Sequence, residues 1–248
     1  MRFVDRVAII TGAASGMGRL SAAMLCAEGA RVLLTDVDPA AVETAAAEIR
    51  AGGGKAIGMA VDVRRYDQVK AAAERALAEF GGIDIAICAA GGSSRRIFQR
   101  TEPFHEMPIE IIDWGLEVNL RGAVYCAHAV LGTMIRQRRG VIITFGSVTG
   151  HEGSAGSVDY GTAKSAMIGV TKSLALCGAP HGVRACCVSP GPVLTRPAMA
   201  HMRTRLGRAA EPREVVDLIL YLCSDQAAFI TGSDHVIDGG RLCGGMDG

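Results

Sequence analysis

Seven short apolar runs, each followed by a longer stretch of helical character or by the chain's end, set the narrowest limits on what this chain can become. They read RVAII, RVLLTD, KAIGMAVDV, IDIAICAA, GVIITFGS, VRACCVS and a closing run near Asp234–Asp238. Most are apolar throughout rather than alternating, as parallel strands buried on both faces are. Parallel neighbours need crossover connections, and the helical patterns supply them. The first runs from Gly16 to Glu28, with Gly29 at the C-terminal cap. The second opens with Asp38 as N-cap and Pro39 as first residue and reaches about Arg50. Tyr66–Phe80, a long region from Pro108 to Ile135, the stretch carrying Tyr160, and Glu211–Cys223 follow. The expectation is an α/β protein with one doubly wound parallel sheet of about seven strands and helices on both faces. No long linker, repeat or low-complexity block divides the chain, so residues 1–248 read as a single domain.

Composition narrows the partners. Hydrophobic residues make up 49% of the chain, ample for a large core, and the formal charge of +1 gives no reason to expect nucleic acid or an anionic membrane. The N-terminus MRFVDRVAIITG lacks a signal-peptide pattern, and no stretch reaches the roughly 18 uncharged apolar residues of a membrane span. The eight cysteines form no Cys-x-x-Cys pair. Cys186 and Cys187, adjacent in a strand, point to opposite faces and are poorly placed to bond each other. Reduced thiols in a cytoplasmic protein are expected. His128, His181 and His235 have no metal-ligand spacing, and no metal site is expected.

The first strand runs directly into TGAASGMG, with Gly12, Gly16 and Gly18. A loop between strand and helix turns backbone N–H groups and the positive end of the helix dipole toward an anion. Glycines let a pyrophosphate approach the backbone closely, and Ser15 and Met17 complete the turn. Asp36 ends the second strand about 20 residues on, where an acid accepts hydrogen bonds from a ribose 2′-OH and repels a 2′-phosphate. Neither Ser15 nor Val37 offers that phosphate a cation, so NAD is favoured over NADP, with Arg19 as the one reservation.

These pieces, with Asp62-Val63, AAG at 89–91, Asn119, Ser147, YGTAK at 160–164 and PGPVLT at 190–195, stand in one order along the chain. In that order, and with thirteen residues from Ser147 to Tyr160, the chain resembles the classical short-chain dehydrogenases/reductases over essentially its whole length. The resemblance implies a Rossmann-like fold in which Asp62 and Val63 hold the adenine. Ala90 and Gly91 would adjoin the cofactor, and Pro190, Gly191, Val193 and Thr195 would border its nicotinamide. It also implies a catalytic tetrad of Asn119, Ser147, Tyr160 and Lys164, with the last two also touching the cofactor. Tyr160 and Lys164 lie one helical turn apart on one face. A free phenol has a pKa near 10, so Lys164 and an oxidised nicotinamide are expected to lower it by roughly 2 to 3 units. Ser147 would hold the substrate oxygen, and Asn119 would seat Lys164 through water. A homotetramer, or a homodimer, is implied, with the C-terminal GGRLCGGMDG reaching a neighbouring subunit.

One departure stands out. The family's usual Asn-Asn-Ala-Gly is here Cys88-Ala89-Ala90-Gly91, and a thiol cannot reproduce the amide's ties between strands. Substrate recognition is expected from loops at about 92–107 and 192–210 and from the segment between Ser147 and Tyr160. Candidate contacts are Ser147, Thr149, Ser154, Tyr160, Arg95 and Arg96. The loop arginines, Arg196 among them, either recognise an anionic substrate or merely keep the loops soluble. His151, Glu152, Ser154 and Ser157 are polar and offer little bulk to grip a steroid or long acyl chain. The expected activity is NAD(H)-dependent interconversion of a secondary alcohol and its ketone on a small polyol, sugar or hydroxy acid. The competing readings are a 3-oxoacyl thioester (acyl-carrier-protein) reductase and, from another class, a non-catalytic NAD-binding regulator.

Overall fold

The computed structural model describes residues 1–244. Strands β1 (Val7–Thr11), β2 (Arg31–Asp36), β3 (Lys55–Ala60), β4 (Ile85–Cys88), β5 (Gly140–Phe145), β6 (Val183–Pro190) and β7 (Asp234–Ile237) form one sheet in the order β3-β2-β1-β4-β5-β6-β7. Every pairing is parallel.

The side-chain period of two divides each central strand between two cores. Ala8 and Ile10 of β1, with Cys186 and Val188 of β6, pack beneath helices Gly16–Ala27, Pro39–Ala51 and Pro212–Cys223. Ile9, Ala185 and Cys187 face helices Tyr66–Phe80, Gly122–Gln137 and Val158–Gly178 on the other side. The opposed orientation expected for Cys186 and Cys187 is what places them in separate cores. Both faces are covered, which is why the strands carry so few polar residues.

Helix ends follow their caps. Asp38 accepts from the Ala40 and Ala41 N–H groups, both at 3.0 Å, and Pro39 takes the first position. Glu211 stands just outside its helix as the N-cap, its backbone N–H donating to Glu214 at 2.8 Å in a capping box. The region expected to be one helix from Pro108 to Ile135 differs. Ile109–Leu116 and Gly122–Gln137 are separated by a π turn at Glu117–Arg121, where the hydrogen-bond ladder shifts by one residue. Of the C-terminal segment 239–248, residues 245–248 lie outside the described residues.

The chain winds outward from β1 through β2 to β3, then returns to place β4 on the other side of β1. The connections leaving β1 and β4 therefore diverge, and a crevice opens at the carboxyl ends of these strands.

Candidate active site

A cleft of about 780 Å³ occupies this crevice. Its floor is the TGAASGMG turn. Gly12 has φ +64°, and a Cβ there would lie 2.7 Å from the Ala90 backbone, so only glycine lets the β1 and β4 loops meet. A Cβ on Gly18 would run into the Gly12 carbonyl. Helix Gly16–Ala27 has neither a side-chain N-cap bond nor an acid in its first turn, which leaves its positive end open to an anion. Ser15, Gly16 and Met17 line the cleft.

Asp36 lines the far end of the cleft, one carboxylate oxygen accepting from the Ala14 N–H at 3.0 Å. Arg19, the reservation in the cofactor argument, pairs with Glu48. Asp62 and Val63 also face the cleft, and Arg64 grips Asp62 at 2.6 Å, holding its carboxyl below the usual range. The glycine cradle, the uncapped helix and the strand-end acid fit a dinucleotide. Ala90, Gly91, Gly191 and Thr195 line the opposite wall, whereas Pro190 and Val193 are buried behind it.

Ser147 and Tyr160 meet at the near end. Ser147 begins helix Val148–Glu152 in extended backbone and accepts from the Thr149 N–H at 3.1 Å. Tyr160 opens the long helix Val158–Gly178, and Lys164 lies one turn on. The Lys164 ammonium stands 5.5 Å from the Tyr160 ring centre and donates to the Phe145 carbonyl at 2.9 Å. Burial pulls its pKa down to about 8.

The lowering expected at Tyr160 calls for an oxidised nicotinamide as well as Lys164; the protein's own groups alone leave the phenol raised. Burial pushes the phenol above its ordinary value, while a hydrogen bond with Ser147 and the guanidinium groups of Arg196 and Arg96 pull against it. Lys164 stands over the ring at 5.5 Å and is not among the groups that pull against the burial.

Asn119 sits in the π turn, buried below the cleft. Its amide nitrogen donates to the Gly92 and Gly115 carbonyls at 2.9 Å each, and its oxygen accepts from the Gly92 N–H at 2.9 Å. The bond to Gly115 satisfies a carbonyl within the shifted ladder, and the pair to Gly92 fixes the loop after β4. A Cβ on Gly91 would lie 2.6 Å from the Asn119 oxygen and 3.5 Å from the Lys164 nitrogen, so both groups converge over Gly91.

Cys88 packs in the core, its thiol 3.8 Å from the Ala123 carbonyl and pushed well up, first by a hydrogen bond with Cys126 and then by burial. Thr11, its partner in register across β1, accepts from the Ala90 N–H at 3.2 Å. A strand-to-strand tie therefore exists without the amide.

The candidate substrate contacts separate. Thr149, Ser154 and Arg96 line the cleft. Arg95 does not: it donates to the Gly156 carbonyl at 3.2 Å and to the Thr101 carbonyl. Neighbours on a helix point about 100° apart, so on Ser94–Ile97 only one of the two arginines faces inward. His151 and Glu152 are also turned away, His151 to Asp234 at 2.8 Å and Glu152 to Arg241.

Several residues escaped the sequence reading. Trp114, Met199 and Met202 line the near end, and so does Arg196, seen before only as a basic loop residue. Buried Asp159 accepts from Ser94 at 2.5 Å and so ties the 92–107 loop to the helix of Tyr160. The signal was faint: an acid beside Tyr160 and the only tryptophan in the sequence.

A family model described as enoyl-(acyl carrier protein) reductase matches residues 12–241. Together with its relatives, this places the chain in the short-chain dehydrogenase/reductase family, to which it belongs. It is 36% identical to the cis-4-hydroxycyclohexanecarboxylate dehydrogenase of Sinomonas cyclohexanicum, over 96% of this chain and 97% of that protein. It is 34% identical to the 2-dehydro-3-deoxy-L-rhamnonate dehydrogenase (NAD(+)) of Sphingomonas sp. (strain SKA58), over 97% and 96% of the two. The 3-oxoacyl-(acyl-carrier-protein) reductase FabG of Thermotoga maritima shares 33% identity over 98% of this chain and its own full length.

Proposed function

We propose that the protein interconverts a secondary alcohol and its ketone with NAD(H), acting on a small polyol, sugar or hydroxy acid in the cytoplasm as a homotetramer. The convergence of Ser147, Tyr160 and Lys164 at the end of a cleft built for a dinucleotide carries this reading. The dinucleotide supplies the nicotinamide that exchanges hydride with the substrate carbon.

Ser147 donates to the substrate oxygen and holds it beside the Tyr160 hydroxyl. Tyr160 takes the hydroxyl proton during oxidation and returns it during reduction. Since burial raises the phenol, positive charge in the cleft must favour its ionised form: Arg196 and Arg96 contribute, and an oxidised cofactor would add to them when bound. Asn119 keeps the Gly91–Gly92 backbone in place beside Lys164.

Asp36 supports NAD over NADP, with Arg19 occupied by Glu48. The Sphingomonas relative, named for NAD(+), agrees. The Thermotoga relative favours a second reading, reduction of a 3-oxoacyl thioester. The polar Thr149–Ser157 stretch, short of bulk for an acyl chain, argues against it.

The test is NADH formation across polyols, sugar acids and hydroxy acids, repeated with NADP and with a 3-oxoacyl thioester in reverse. Turnover with NAD, lost at least about 1000-fold in Tyr160→Phe while NAD binding persists, is the expected outcome. Full activity of Tyr160→Phe would sink the mechanism. Tight NAD binding without turnover of any alcohol would favour a regulator.

A further inference from the structure

Two arginines reach the near end of the cleft from different loops. Arg96 comes from the loop after β4, and Arg196 from the segment after β6. Both line the same space as Ser147 and Tyr160, and among the described residues no Asp or Glu lines that end with them. The neighbouring arginines are already satisfied: Arg95 by two carbonyls, Arg100 by Glu102, and Arg208 by Glu214 at 2.6 Å. Among the described residues Arg196 has only the Met199 sulfur at 3.6 Å, and Arg96 and the Tyr160 hydroxyl lie near enough to act on its charge. Two like charges facing one space repel unless an anion lies between them.

Beside the polar Thr149, Ser154 and Ser157, this end has an apolar side. Ile97, Trp114, Met199 and Met202 form that side, and Trp114 is braced edge-on by Phe98 with ring centres 5.2 Å apart. Such a wall fits a hydrocarbon body better than the many hydroxyls of a sugar or polyol.

We infer that Arg96 and Arg196 clamp a substrate carboxylate, and that the substrate is a hydroxy acid whose secondary hydroxyl and carboxylate are separated by a compact hydrocarbon body. The inference deepens the proposed function and rests on it. The carboxylate stays ionised and unreacted. The carbinol carbon gives its hydride to NAD, its hydroxyl proton passes through Tyr160 to solvent, and the products are an oxo acid, NADH and one proton. Clamped away from the reacting carbon, the carboxylate supplies binding energy that orients the carbinol beneath Ser147 and Tyr160.

The test has a turnover arm and a binding arm. In the first, NADH formation is measured with cyclohexane carboxylic acids hydroxylated at C3 or C4 and with their primary amides. An acid should exceed its amide about 100-fold in kcat/KM, in line with two charge-assisted contacts. Arg96→Gln and Arg196→Gln should each reduce that ratio at least about 10-fold, mainly through KM, and the double variant should bring it near one. In the second arm, cyclohexanecarboxylate and cyclohexanecarboxamide, which cannot be oxidised at a carbinol, are titrated into the protein with NADH bound. The carboxylate should bind more tightly, and the variants should remove the difference. Equal ratios for acid and amide in the wild type, or a preference that survives in the double variant, would overturn the clamp. If no alcohol is oxidised, the proposed function fails, and the binding arm still judges the clamp by whether the acid outbinds the amide. Unchanged circular dichroism and melting temperature certify that each variant is folded.

Discussion

Lys164 is buried, yet its amine must stay close to Tyr160 and hydrogen-bonded to the Phe145 carbonyl. Burial lowers its pKa to about 8, against an unfolded value near 10.4. Between these values the unfolded chain binds the extra proton and the folded chain does not. Stability attributable to this residue therefore rises with pH across that window, and below about pH 8 the buried charge is a cost. Lys164→Met has no such step. Buried thiols with raised pKa values, such as Cys223 at about 12, act in the opposite sense. They are common to both proteins and cancel in the difference. Urea unfolding from pH 7.5 to 10.5 should show the wild type gaining on Lys164→Met by up to about 3 kcal/mol. A constant difference would mean that the folded amine titrates near its unfolded value, as an exposed lysine does. The pair itself was legible, since Tyr160 and Lys164 four apart share a face in any helix. The raised phenol was not, because the surroundings that desolvate it come from distant segments. Arg95 and Arg96 make the same point: adjacency in sequence left open which of them would face the cleft.

Among the elements, the π turn at Glu117–Arg121 decides where Asn119 points. Its hydrophobic pattern runs continuously into the flanking helices, so a shift of one residue in the ladder left no mark in the sequence. The strand and helix boundaries fared better, because buried strands are apolar throughout and because Asp38, Pro39 and Glu211 punctuate the chain chemically. Asn119→Ala strands the Gly115 carbonyl and both backbone groups of Gly92. Buried groups left unpaired in this way cost about 1 to 3 kcal/mol. A fall in melting temperature of roughly 2–12 °C is expected, with kcat reduced and the dissociation constant for NAD changed less. Calorimetry and initial-rate kinetics on one preparation test this. A variant melting with the wild type would show that the amide does not hold the turn.

For the whole molecule, alternation along the sequence foretold a parallel sheet covered on both faces, and the glycine turn foretold where its crevice would open. The substrate end was harder to read, since it is assembled from four separated segments around residues 96, 114, 154 and 196. The outer surface bears on assembly. The family resemblance implies a tetramer pairing through the helices of Tyr160 and Asn119; Leu176 on the first and Ile109 beside the second are 79% and 61% exposed, and Val124 is also exposed. Light scattering behind size exclusion should return about four times the 25.8 kDa of one chain. Leu176→Glu should lower that mass, whereas a monomeric wild type would exclude the assembly.

The sheet's alternation also gives the molecule its own stopwatch. Cys26, Cys186 and Cys223 belong to one hydrophobic layer, Cys88, Cys126 and Cys187 to the other, and Cys177 and Cys243 are exposed. Pulsed alkylation read by peptide mass spectrometry should mark Cys177 and Cys243 at once and the six buried thiols only as the protein opens. If the layers separate together, Cys186 and Cys187 will be marked at the same pace. If one layer loosens first, two neighbours in sequence will keep different time.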